Sequence, residues 1–340
     1  MKHLTPIRVV SVLLGLAALL VASALLGLGI GPSELALSDV GAALFGDSTA
    51  GATSDIVLRV RLPRVLLAAV VGASLAVSGV LFQALLRNPL ADPYVLGVSG
   101  GAALGGILVL SAGGSLGLGY GAVPPAAFAG ALATTLLLYA IAAVGGRLST
   151  TNLLLTGVVF NAFASAAIVF LASLAGLAEG ASIYLWLIGS LSASRADVAV
   201  WVAVFLALGL ACALPMARSL NLMTLGEEGA AQLGVEVERV KRLLLVSTSL
   251  MVGAAVSVAG LIGFVGLIIP HLLRLLFGPD HRLLIPAAAL GGAAFLVLCD
   301  TVARTLLDGR ELPVGAITAV AGGPLFLWLL RRYHQRTFAA

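Results

Sequence analysis

Charge is what this chain has least of. Asp, Glu, Lys and Arg make up only 10% of the 340 residues, against 60% hydrophobic, and the mean hydropathy is +1.13. Soluble globular domains carry about a quarter charged residues, so that class is excluded and an integral membrane protein is implied. Cysteine is nearly missing as well. Cys212 and Cys299 both lie in apolar runs, and nothing points to a disulfide framework or a metal site. No Gly-x-x-x-x-Gly-Lys-Ser/Thr loop occurs, so the chain shows no nucleotide site of its own. The basic residues are dispersed, without a basic run or an aromatic stacking surface. The net charge of +4 therefore belongs to membrane flanks, and nucleic acid is not expected as a partner. No stretch is left for a soluble domain, and residues 1–340 read as one membrane-embedded unit.

What the chain does have is apolar runs of about 20 residues, each long enough to cross a hydrocarbon core of about 30 Å as a helix. Spans are expected at Val9–Ile30, Val65–Leu86, Tyr94–Ala112, Pro124–Val144, Leu153–Ala175 and Val198–Met216. The apolar run Leu243–Phe277 is too long for one crossing and is divided near residues 260–266, giving a short second member that contains Pro270. Leu283–Ala303 and Val314–Leu330 complete ten. Ala22-Ser-Ala24 resembles a signal cleavage site, but the run is longer than a usual signal core and is kept as a span. Glycine, at 41 residues, points to helices packed through small faces.

Both termini are basic, with Lys2 and Arg8 at one and Arg331, Arg332, His334 and Arg336 at the other. The positive-inside rule puts both in the cytoplasm and requires an even number of spans. Parity then places Arg87, Arg147, residues 218–242 and His281-Arg282 inside. It places residues 31–64, 176–197 and 304–311 outside, so Arg59, Arg61, Arg64, Arg195, Arg304 and Arg310 run against the charge bias. Either they anchor helix ends by snorkelling or they have a task outside.

Arg218–Arg242 is the one long polar segment, with Glu227, Glu228, Glu236 and Glu238 beside Arg218, Arg239, Lys241 and Arg242. Thr224 with Glu227 fits a capping box and Gly234 a helix stop, so two short helices joined by glycine are expected. Leu222, Leu225 and Leu233 remain as apolar studs, which suits a docking knob for another protein or an ordinary amphipathic connection. Val71–Gly79 and Val252–Gly260 agree at five of nine positions, yet parity runs them in opposite directions. Inverted repeats of this kind mark transporters.

Polar residues within the spans are few: Gln83, Asn161, His271 and Asp300. Asp300 lies one helical turn before Arg304, and a local ion pair near the outer surface is expected. His271 follows Pro270 and is expected to satisfy backbone groups that the proline frees. Proton-driven carriers usually need acids or histidines in mid-span, so this scarcity points to an external motor acting through the polar segment.

Leu86-Arg-Asn-Pro-Leu-Ala-Asp-Pro-Tyr-Val-Leu-Gly-Val-Ser-Gly-Gly-Ala-Ala-Leu-Gly105 resembles the FecCD-type permeases of bacterial ABC importers, which serve iron siderophores, haem and vitamin B12. Leu225-Gly-Glu-Glu-Gly-Ala-Ala-Gln-Leu-Gly234, Gly263-Phe-Val-Gly-Leu-Ile-Ile-Pro-His-Leu-Leu-Arg274, Glu311-Leu-Pro-Val-Gly315 and Gly322-Gly-Pro-Leu-Phe326 extend the resemblance over nearly the whole chain. It implies an all-α integral membrane protein of about ten transmembrane helices with an internal inverted repeat, the type II ABC importer permease fold. It also implies a multi-pass homodimer in the bacterial inner membrane, resting on two ATP-binding-cassette ATPase subunits and met outside by a periplasmic substrate-binding protein. ATP and Mg would sit on the ATPase, with no catalysis, cofactor or metal in this chain. By resemblance, Leu225, Gly226, Glu227, Glu228, Ala230, Gln232, Leu233 and Gly234 couple to the ATPase. Arg61, Arg64 and Arg304 would receive the binding protein, and Asn88, Leu90, Thr150 and Thr151 line a cytoplasmic gate. Val98-Ser-Gly-Gly101 departs from the Val-Ser-Asn-Gly of the vitamin B12 member, which disfavours a close match to it.

The expected function is import of a metal chelate, with siderophore, haem and cobalamin left open. A stand-alone ion-coupled carrier is the alternative, since an inverted repeat suits it equally. A membrane enzyme would need catalytic polar residues at one depth, and no such set is visible.

Overall fold

The computed structural model describes residues 5–338 apart from 32, 34, 47–50, 117–118, 192–195 and 308–309. Lys2 and Arg195 lie outside the described residues, as do the side chains of Arg332, His334 and Arg336. In chain order the helices are α1 (Pro6–Gly29), α2 (Leu37–Phe45), α3 (Gly51–Asp55), α4 (Leu62–Leu85), α5 (Val98–Leu116), α6 (Val123–Ala142) and α7 (Thr150–Leu174). They continue with α8 (Leu177–Leu187), α9 (Ala196–Met223), α10 (Glu227–Gln232), α11 (Val237–Ala259), α12 (Val265–Phe277), α13 (His281–Thr305) and α14 (Val314–Phe338). A two-stranded hairpin, β1 (Ala143–Val144) and β2 (Arg147–Leu148), precedes α7.

Among the described residues, seven helices are long and apolar enough to cross a membrane, and shorter apolar stretches in α5, α12 and α14 complete ten. All ten expected spans are present. The division of the longest run falls where it was placed, with α11 ending at Ala259 and α12 starting at Val265. At 13 residues, α12 rises only about 20 Å, so irregular backbone supplies the rest of that crossing. Such backbone survives in a membrane only when buried in protein. Here Gly260 (φ +68°) and Phe264 (φ +70°) turn the chain, and Ser190 N–H donates to the Ala259 carbonyl at 2.9 Å.

Helices α4, α11 and α13 are the most buried spans, whereas α1, α7 and α9 are peripheral and mostly exposed. The packing repeats. As α4 packs on α13 and α12, so α11 packs on α6 and α5; α5 meets α6 and α7 as α12 meets α13 and α14. Residues 62–174 and 237–338 are thus two copies of one arrangement. The polar contacts at the two ends of the bundle, described below, show that α4 and α11 run in opposite directions, so the repeat is inverted.

Four expectations are corrected. The 31–64 connection, which reads in the sequence as a mixed loop, folds into α2, α3 and a π-helical turn, Ile56–Arg61, that runs straight into α4. Helix α9 continues through Pro215 to Met223, and α11 begins at Val237, so Arg218 and Arg239–Arg242 are helical. That leaves one short helix between them rather than two. The third span starts at Val98 rather than Tyr94, because residues 86–97 form successive turns.

The central helices touch through glycine. A Cβ on Gly72 would overlap the Gly292 carbonyl, and one on Gly79 the Gly266 carbonyl. In lipid, where burial of apolar surface adds little between helices, such close packing is what holds them. Gly79→Val is therefore expected to force α4 from α12, an overpacking cost of about 1–3 kcal/mol. A lowered thermal midpoint in detergent relative to the parent checks it.

Candidate functional site

Charged and polar side chains collect at the two ends of the bundle. At one end, Gly145 (φ +60°) and Gly146 (φ +79°) make the hairpin turn, which needs positive φ at both positions. Ser149 caps α7 by accepting from Asn152 N–H at 3.3 Å. The hairpin is held by α11. Glu238 Oε2 accepts from Leu148 N–H at 2.7 Å, and Lys241 Nζ donates to the Leu148 carbonyl at 2.9 Å. Lys241 is 2% exposed and also reaches Glu227 at 2.5 Å and Glu238 at 3.3 Å.

Short helix α10 sits beside this clasp. Its N-cap Gly226 has φ 103° and ψ 159°, a region that only glycine enters freely. Glu227 and Glu228 occupy its first turn, where the free N–H groups favour acids. Of the expected coupling residues, Leu225 (68%) and Leu233 (58%) are strongly exposed, together with Glu228, Gln232 and Gly234. Ala230 is fully buried, and Glu227 turns inward to Lys241 and to Arg87 at 3.7 Å. Thr224 does not cap α10; its hydroxyl donates instead to the Asn221 carbonyl at 2.7 Å. Gly234 follows the helix at φ +85°, as the expected stop requires.

The expected gate residues lie at this same end. Asn88 and Leu90 are exposed in a tight turn in which Asn88 Oδ1 accepts from Leu90 N–H at 3.0 Å. Thr150 is half-buried and Thr151 exposed at the start of α7. A cavity of about 970 Å³ is lined by Arg87, Ser149, Thr150, Glu227 and Lys241 among others. Asn221 ties α9 to α13 through Asp280 (2.8 Å) and His281 N–H (2.9 Å). Hydrogen bonds from Arg282 above all, then Asn221, pull the Asp280 carboxyl down to about 2. Arg8 donates to the Phe277 carbonyl at 2.8 Å. Segments separated by hundreds of residues thus share the end that parity assigned to them.

At the opposite end, Asp300 (1% exposed) is the hub. Arg64 grips it from Nε at 3.1 Å and Nη2 at 3.0 Å, and reaches Glu311 at 2.9 Å. Arg304 makes the expected pair with Asp300 at 3.1 Å and adds a bond to the Gly27 carbonyl at 3.0 Å. Arg61 donates to the carbonyls of Leu28, Gly29 and Ser33. The three arginines expected to receive a partner are brought together, but at 3%, 7% and 5% exposure they are buried and each already holds partners in the chain. They border a cavity of about 360 Å³ with Ser33, Val60 and Glu311. Arg59, by contrast, is exposed and pairs with Asp55 at 2.9 Å.

One in-span residue differs from expectation. His271 is buried with no hydrogen-bond partner for Nδ1 among the described residues, so it does not repair the backbone at Pro270. Gln83 reaches the carbonyls of Gly266 and Leu267 at 3.5 Å, and Asn161 lies against Gly100. The central role of Lys241 was not read from the sequence. The signal was there: with Val237, Leu244, Leu245 and Thr248 it falls on one helical face of α11, the apolar one.

A bundle of ten apolar helices, repeated in inverted order with its charged side chains gathered at the two ends, is the architecture of a multi-pass membrane protein. Residues 19–332 match the FecCD transport family, and the chain belongs to that family as a permease of the FecCD/BtuC type. It is 49% identical over 277 residues to the cobalamin import system permease protein BtuC of Halobacterium salinarum, covering 81% of this chain and 73% of that one. It is 43% identical over 310 residues to the hemin transport system permease protein HmuU of Yersinia pestis, covering 86% and 88%. An inward-facing structure of a metal-chelate type ABC transporter superposes with a TM-score of 0.83 at 33% identity, over 95% of this chain and 99% of that one.

Removing one member of a buried ion network strands the others, at a cost of about 3–5 kcal/mol. Asp300→Asn, which leaves Arg64 and Arg304 facing each other, is expected to lower the resistance of the purified protein to thermal unfolding by an amount in that range. Arg59→Gln, at the exposed pair, serves as the control with little change.

Proposed function

We propose that this chain is the membrane-spanning subunit of an ATP-driven importer for a metal chelate. The Lys241 end would lie in the cytoplasm with both termini, and the Asp300 end outside the inner membrane. The observation that carries this reading is α10. It presents Leu225, Leu233, Glu228 and Gln232 to water on a short capped helix, beside the two segments expected to gate the path. That is the form of a knob which a motor subunit grips. Two ATPase subunits, one for each permease of a homodimer, would bind ATP and Mg there. The exposed apolar side chains of peripheral α7, Val159, Phe163 and Phe170 among them, would be divided between lipid and the second copy.

At the outer end three guanidiniums face two carboxylates, Asp300 and Glu311, around an open cavity. The surplus is one positive charge. A carboxylate from a periplasmic binding protein entering that cavity would balance it, which is how the arginines would receive a partner while still holding the bundle. Charge pairing of this kind orients an encounter more than it tightens it.

The cargo would be a large, already chelated metal: cobalamin, haem or a ferric siderophore. Relatives named for cobalamin and for hemin resemble this chain to a similar degree, so the class is supported and the member is not singled out. The alternative, an ion-coupled carrier, finds little support in the spans, where the buried acid Asp300 is already held by two arginines.

Reconstitution with the cognate ATPase and binding protein tests the reading, using cyanocobalamin, haemin and a ferric siderophore as probes. Uptake of one of them is expected to need ATP and to survive a protonophore; uptake without ATP that collapses with the proton gradient would establish the carrier instead. Separately, Val60→Trp narrows the outer cavity without touching its ion pairs. It is expected to weaken binding-protein docking about tenfold, or 1.4 kcal/mol, measured by surface binding, with ATPase assembly unchanged.

A further inference from the structure

Glu227 resembles the ATPase-facing residues by its place in the chain, yet its carboxylate, 31% exposed, is engaged by cations of the same chain. Oε2 meets Lys241 Nζ at 2.5 Å and Oε1 lies 3.7 Å from Arg87. Arg87, at φ +48°, opens the turn that carries Asn88 and Leu90. Lys241 in turn holds the Leu148 carbonyl, and Leu148 immediately precedes Ser149, Thr150 and Thr151. The first residue of α10 is therefore linked to both expected gate segments, to one directly and to the other through a single ammonium.

The link is stiff for chemical reasons. An ammonium has three donors, and Lys241 uses them on Glu227, Leu148 and Glu238. Glu238 also accepts from Leu148 N–H, so both backbone polar groups of Leu148 are fixed by α11. Lys241 is almost fully buried while Glu227 and Glu238 are 31% and 29% exposed, so the buried ammonium is stranded if it parts from both carboxylates. Displacing α10 must therefore displace the hairpin and the start of α7.

We propose that Lys241 is the positioning residue that makes α10, the hairpin and the start of α7 move as one body, so that force on α10 becomes movement of the gate. This rests on the reading of α10 as the ATPase-docking helix and adds to it a route inward. Lys241 itself does not touch the ATPase or the cargo in this scheme.

The test uses the assembled transporter in liposomes, carrying Thr151→Cys with Cys212→Ser and Cys299→Ala. The readout is the rate at which a water-soluble maleimide labels residue 151, with and without Mg-ATP and vanadate, so no cargo need be known. With Lys241 present, nucleotide is expected to change that rate at least about fivefold, the size of an ordinary coupling between sites. In Lys241→Met the ATPase is expected to co-purify and hydrolyse ATP within about twofold of the parent, while the nucleotide effect on labelling disappears. Lys241→Arg, which keeps the charge, is expected to restore part of it. Should Lys241→Met not accumulate, Lys241→Gln keeps a donor for the Leu148 carbonyl without the charge and gives the same comparison. An unchanged labelling response in the Met or Gln variant overturns the proposal, and so does loss of the ATPase from these complexes, which would make Lys241 a support for the docking surface alone. If the parent itself holds no ATPase, the reading of α10 fails first, and the two failures are told apart.

Discussion

A charge in hydrocarbon has to be answered by the chain that carries it. That requirement shapes this protein more than any other. Asp300 is answered by Arg64 and Arg304, and through them α1, α4, α13 and the segment at Glu311 are drawn together. Lys241 is answered by Glu227 and Glu238, and through them α10, α11 and the hairpin before α7 are joined. Each clasp crosses the two halves of the inverted repeat. The ends of the bundle are thereby stiff, and each is a single polar object.

The middle is built on the opposite principle. Its helices meet through glycine and alanine, with backbone against backbone at Gly72–Gly292 and Gly79–Gly266. Contacts of this kind are close but carry no directional bond between side chains. They resist separation and offer no polar registry against tilting. Stiff ends joined by such a middle suit two halves that tilt against one another.

Relatives named for different cargoes resemble this chain comparably. Selectivity for one chelate does not call for a dedicated polar site in the spans, and recognition by a separate binding protein would leave the permease core free to remain general.

Much of the architecture was legible in the residues. Ten apolar runs became ten helices because a helix satisfies its backbone groups internally in lipid, and the break in the longest run fell at Gly260, which takes a positive φ. Even the grouping of Arg87, Arg147, the polar segment and His281 at one end followed from charge bias alone. The errors came where neighbours decide. Thr224 offers a good cap in isolation, but the turn closing α9 takes its hydroxyl. His271 looked like a local repair and is instead sealed among apolar helices.

Arg61, Arg64 and Arg304 show the limit most clearly. Their number and their shared end of the bundle could be read from the sequence, whereas the burial of Arg64 against Asp300 and Glu311 depends on residues about 240 positions away and that of Arg61 on carbonyls about 30 positions back. Hydrophobicity and helical period act over one or two turns, so the sequence by itself determined class, span number and which polar segments share an end. Which charges meet is set by how α1, α4, α11 and α13 come to lie side by side, and that only the tertiary structure decided.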